Sequence, residues 1–135
     1  VDHVYQRYFD TLLKMIDTGL FDIVTHPDLV KKFGHRPESL DLAALYHETA
    51  QRIRRQNMCL EVNTAGLRKE VGEIYPEKQF LEIARQYKVP IVIGSDAHCP
   101  GEVGADYAKA MALVRSVGYT HVQQFSGRTA VPVPL

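Results

Sequence analysis

The 135 residues carry 16 Lys+Arg against 16 Asp+Glu, and 45% of them are hydrophobic. Balanced charge leaves no basic footprint for nucleic acid and no acidic tail, and the length suits one modest domain with a real core. The two cysteines, Cys59 and Cys99, are too few for a disulfide framework. With no signal-like N-terminal segment and no apolar run near the ~18 residues of a membrane helix, a reducing cytoplasm is the expected location.

The first predicted element is a helix over 5–17, where Tyr5, Tyr8, Phe9, Leu12, Leu13, Met15 and Ile16 recur at helical spacing before Gly19. A β-branched run at 21–25 (FDIVT) predicts a buried strand, and His26-Pro27 opens a polar loop to about Ser39. A second helix is expected over 41–56, with Leu42, Leu45, Ala50 and Ile53 on its apolar face, and a second strand at 58–62 (MCLEV). After a loop containing Gly66 and Gly72, a third helix follows Pro76 over 77–87. The most apolar strand, VPIVIG, ends at Gly94 and runs into Ser-Asp-Ala-His-Cys-Pro-Gly. A fourth helix over 106–117 stops at Gly118, and a weaker fourth strand is expected near 121–125, before Pro132 and Pro134. Alternating helices and strands without hairpin signals predict one α/β domain, with parallel strands under outer helices.

Chemistry concentrates where strands end. Asp96 and His98 follow the third strand two residues apart; in extended chain both side chains point the same way, and a carboxylate with an imidazole suits a divalent metal. An Asp capping a turn beside a merely polar His is the bland alternative. His26 follows the first strand, either as a partner to that pair or as a loop His braced by Pro27. The second strand runs into Asn63-Thr64-Ala65-Gly66-Leu67-Arg68, where the Arg68 fork matches phosphate oxygens unless it is simply solvated. Three successive strands thus deliver polar groups at one end, where ligands collect in parallel α/β folds.

The segments Thr-His-Pro-Asp-Leu-Val-Lys-Lys-Phe-Gly (25–34), Glu-Val-Asn-Thr-Ala-Gly-Leu-Arg-Lys (61–69) and Gly-Ser-Asp-Ala-His (94–98) resemble the C-terminal motifs of the PHP (polymerase and histidinol phosphatase) family, in its histidinol-phosphatase branch. Ile74-Tyr75-Pro76 and Phe125-Ser126-Gly127-Arg128 share the resemblance, which spans nearly the whole chain. The resemblance implies the C-terminal part of a distorted, TIM-like (β/α)7 barrel carrying up to three divalent ions (Zn, Mn or Fe). It implies hydrolysis of a phosphomonoester, L-histidinol phosphate foremost, by a metal-activated hydroxide. Carried over by position, His26, Asp96 and His98 become metal ligands and Arg68 a phosphate ligand. Asn63, Lys31 and Lys32 stand as further substrate-binding candidates, with no catalytic residue beyond the metal ligands.

The family's opening His-x-His pair is missing from these 135 residues, and the chain starts at Val1 rather than Met. Both are expected of a fragment that alone would be a poor catalyst, inclined to self-associate or to pair with an N-terminal half. Glu61 reads as a minor candidate, Cys59 as core and Cys99 as a loop thiol. His47 reads as a helix-surface residue among charged neighbours, His3, His35 and His121 have no evident partners, and Arg52, Arg54 and Arg55 read as a solvated helix end. Two rivals remain: a PHP phosphoesterase acting on nucleotides or nucleic-acid ends, and a non-catalytic segment that only completes a barrel.

Overall fold

A computed structural model describes residues 1–135. The first stripe forms α1 (Asp2–Asp17), which buries Tyr5, Phe9, Leu13 and Ile16, one residue per helical turn. β1 (Ile23–Val24), α2 (Leu42–Arg55), β2 (Cys59–Asn63), α3 (Lys78–Gln86), β3 (Ile91–Gly94) and α4 (Tyr107–Val117) follow. Single 3₁₀ turns span Leu29–Lys31, Thr64–Arg68 and Pro100–Glu102. Asp41 caps α2 by accepting the Ala44 amide at 3.0 Å, and Gly118 ends α4 in the left-handed conformation at φ +102°.

β1, β2 and β3 form a parallel sheet in that order, with Val24 opposite Leu60 and Asn63 opposite Gly94. All three strands therefore end at the same edge. Apolar side chains from the four helices and three strands share one core. At its centre Tyr46 of α2 stacks on Phe80 of α3 at 4.5 Å, with Phe9 of α1 at 5.8 Å from Tyr46.

The expected fourth parallel strand is a correction. β4 (His121–Ser126) pairs antiparallel with β5 (Thr129–Pro134) as a separate hairpin. Ser126 faces Thr129 across a two-residue turn whose first residue, Gly127, has φ +58°; this is the glycine position of a type II′ turn. Arg128 at the tip forks onto the Asp22 carboxylate at 2.8 and 3.0 Å, tying the hairpin to the start of β1.

The loop after β1 is fastened by a buried ion pair. Asp28 and Lys31 are 1% and 0% exposed and meet at 3.0 Å. The Lys31 ammonium also reaches Glu73 at 3.1 Å and the Ile74 carbonyl at 3.0 Å, so its three donors are spent. Asp28 accepts the Glu77 amide at 2.8 Å, just ahead of α3. Lys31, a candidate for phosphate binding by sequence, is here buried with its ammonium engaged within the fold.

Burial pushes the Asp28 carboxyl above its ordinary value, and the nearby Lys31 charge opposes that shift. Lys31→Met strands the carboxylate and should cost about 3–5 kcal/mol in urea unfolding at neutral pH. A proton can replace the lost cation, and with a raised pKa the folded state binds that proton more readily than the unfolded chain. The deficit relative to wild type should therefore be full above the folded-state pKa of Asp28 and narrow as pH falls toward 3.8. Unfolding curves of both proteins across that range check the sign.

Candidate functional site

Each strand end delivers polar groups. After β1 the chain turns at His26, which holds φ +28°, outside the usual range for a residue with a side chain. The His26 amide donates to Glu61 Oε2 at 3.0 Å and its carbonyl accepts the Tyr8 hydroxyl at 3.3 Å. Its ring atom Nδ1 is buried without a partner.

At the end of β2, Asn63 Nδ2 donates to Glu61 Oε2 at 2.9 Å while Oδ1 accepts the Ala65 amide at 2.9 Å, capping the 3₁₀ turn Thr64–Arg68. Asn63 is 1% exposed with both ends of its amide engaged. Here it braces the loop, with its side chain directed to Glu61 and the Ala65 amide. Gly66 lies so close to the Glu73 carbonyl that any Cβ there would collide with it. That tight passage delivers Arg68, whose Nη2 donates to the Ser95 carbonyl at 2.6 Å and whose Nε lies 3.6 Å from Glu102. Arg68 Nη1 is buried and unpartnered.

After β3, Asp96 takes the left-handed conformation at φ +49°. The chain is therefore not extended between Asp96 and His98, and the alternation argument for their shared direction fails. They are brought together by a turn instead: His98 Nδ1 lies 2.8 Å from the Asp96 carbonyl oxygen. A carbonyl only accepts, so Nδ1 is the donor in this contact. The His98 amide donates to Glu102 at 2.8 Å, and this bond, ahead of the Arg68 charge, holds the Glu102 carboxyl below its usual range.

Arg68, Asp96 and His98 line one small cavity of about 60 Å³ together with Ala65, Lys69 and Glu102. Lys32, unlike Lys31, borders an adjoining cavity of about 290 Å³ shared with Phe33, Arg68, Lys69 and Glu70. Tyr75 was not singled out by sequence, yet it is 1% exposed with an unpartnered hydroxyl. Its pKa is pushed up to about 12 by burial, then by the Asp28 and Asp96 charges. The buried polar atoms without partners belong to His26, Asp28, Arg68 and Tyr75, all in segments following β1 and β2. Such atoms are uncommon in folded proteins.

By donor type, His26, Asp96 and His98 suit a divalent cation. By number they fall short, since no three His, Cys, Asp or Glu side chains converge as a metal cage. Cys59 is buried, with its thiol raised to about 11 by burial, and Cys99 is exposed; both are free. No helix is long and apolar enough to cross a membrane.

A family model described as PHP-associated matches residues 78–110, from α3 through the Asp96–His98 loop into α4. A protein named probable histidinol-phosphatase from Deinococcus radiodurans is 41% identical over 116 residues, covering 85% of this chain and 43% of that protein. The histidinol-phosphatase of Bacillus subtilis is 36% identical over 115 residues, covering 79% of this chain and 43% of its own length. These matches support a place for the chain in the PHP family. It spans about two fifths of the length of these relatives.

The passage at Gly66 sets where Arg68 emerges. Gly66→Ala should destabilise the fold by about 1–3 kcal/mol through overpacking against the Glu73 carbonyl. A lowered urea midpoint at unchanged m-value is the expected reading.

Proposed function

We propose that this chain serves a metal-assisted phosphomonoesterase of the PHP family, with L-histidinol phosphate as substrate. The carrying observation is Arg68. Its guanidinium shares a cavity with Asp96 and His98 and holds one buried nitrogen free of any protein partner. An Arg pinned by the Ser95 carbonyl and backed by Glu102 keeps its fork aimed, and a planar fork is the natural grip for phosphate oxygens. Lys32 and Lys69 border the same side chain and add positive charge for an anionic substrate.

His26, Asp96 and His98 act in this reading as donors toward divalent ions, with the remaining donors supplied from outside these 135 residues. Such ions, when bound, supply an activated hydroxide and neutralise charge on the phosphate. The three parallel strands would then be part of a larger barrel, whose remaining strands continue the sheet and complete the ligand set. The histidinol-phosphatase names of the two relatives support the choice of substrate. Zero formal net charge weighs against nucleic-acid ends.

In the natural full-length protein, Arg68→Ala should weaken phosphomonoester binding by about 1.5–3 kcal/mol, roughly a ten- to 150-fold loss. Steady-state kinetics on L-histidinol phosphate with Mn²⁺, and a competing titration with inorganic phosphate, measure it; unchanged constants in both would remove Arg68 from the site.

A further inference from the structure

Glu61 occupies a place that its strand position alone does not explain. Its Oε2 accepts the His26 amide at 3.0 Å from the β1 end and Asn63 Nδ2 at 2.9 Å on its own strand. Its Oε1 lies over Gly94 of β3, so closely that any Cβ there would collide with it. One carboxylate thus joins the ends of all three strands. His26 meanwhile holds φ +28° and has no hydrogen bond at ring atom Nδ1, so no polar ring contact at that atom sets the imidazole pose. The pose is set through the backbone. The backbone hydrogen bonds there are Leu29 N–H and Tyr8 O–H to the His26 carbonyl, and His26 N–H to Glu61. Glu61 is the one that couples His26 to the neighbouring strands, and an amide donating to a carboxylate is the strongest type of the three.

We propose that Glu61 is a positioning residue: it fixes the backbone of His26 in its left-handed turn and so aims the imidazole, while Gly94 leaves room for the carboxylate. The proposal rests on His26 belonging to the functional site. It makes no claim that Glu61 touches substrate or metal, and the choice of variants separates the two roles. In Glu61→Gln a carboxamide oxygen can still accept the His26 amide. In Glu61→Ala nothing does, and in Gly94→Ala the new methyl displaces the carboxylate.

Amide hydrogen exchange at His26, followed by two-dimensional NMR without metal, is the first readout. Exchange should accelerate at least tenfold in Glu61→Ala and Gly94→Ala and stay within about threefold of wild type in Glu61→Gln. The second readout is turnover of L-histidinol phosphate with Mn²⁺ by the natural full-length protein. kcat should fall at least tenfold in Glu61→Ala with KM within about twofold, and Glu61→Gln should restore kcat to within about threefold. Unchanged His26 exchange in the two alanine variants overturns the proposal. So does a Glu61→Gln protein that keeps its amide protection but loses kcat as fully as Glu61→Ala, because Glu61 would then be touching the reaction directly. If Glu61→Ala does not fold, the Gln and Gly94→Ala proteins decide by the same criteria. If the wild-type protein does not turn over L-histidinol phosphate, the substrate reading fails, and the exchange measurement still decides the role of Glu61.

Discussion

The ammonium of Lys31 sits in the interior with Asp28 as its counter-charge, and the loops that form the site hang from that pair. A buried cation is tolerated only when its charge and its hydrogens are all answered. Here the three answering groups come from two segments: Asp28 in the turn after β1, and Glu73 and the Ile74 carbonyl in the segment before α3. Asp28 in turn receives the Glu77 amide, and Glu73 and Glu77 are shared with Arg36. The network draws the β1 loop and the β2 loop together over the sheet edge. Lost solvation at Lys31 therefore has a geometric return, because the two loops cannot drift apart without exposing unpaired charge to the interior.

A second arrangement is built on this floor. Glu61 gathers the strand ends and Glu102 gathers Arg68 and the His98 amide. The two carboxylates, both half-buried, stand in different segments: Glu61 on β2 at the sheet edge and Glu102 in the turn after His98. Each holds one backbone amide and one side chain: Glu61 the His26 amide and Asn63, Glu102 the His98 amide and Arg68. The site contains left-handed backbone at His26 and Asp96 without glycine there. Strained positions persist when surrounding contacts over-determine them.

Much of this was legible in the sequence. The β-branched runs, the helical stripe of α1 and the proline before α3 located the elements, because burial periodicity is a direct consequence of which face meets the core. His26, Asp96 and His98 were found from their place after strands, and the common edge follows from parallel pairing. The choice between Lys31 and Lys32 was not legible as it was read, although Asp28 and Lys31 three apart in a turn hinted at a local pair. The shared cavity of Asp96 and His98 was anticipated for a wrong reason, since no pattern signals φ +49° at an Asp. Glu61 was underrated because its partners lie 35 residues upstream on another strand end and two residues on at Asn63; only folding brings them to one oxygen. The hairpin was missed although Ser126-Gly127-Arg128-Thr129 carries its turn chemistry, because Pro132 and Pro134 discouraged reading the tail as a strand.

Those two prolines have a further meaning once the phase of the ladder is fixed. Leu135 donates its amide to the Thr120 carbonyl at 3.0 Å, which places the odd-numbered residues of β5 in the hydrogen-bonded pairs and turns positions 132 and 134 outward. The free side of β5 is therefore missing its amide hydrogens at both of those outward positions. Another strand sliding alongside, from a crowded neighbour or a partly unfolded copy, finds carbonyls to donate to but gaps where its own carbonyls need donors. The hairpin flank is insulated against fibril-like growth by two ring closures in the backbone.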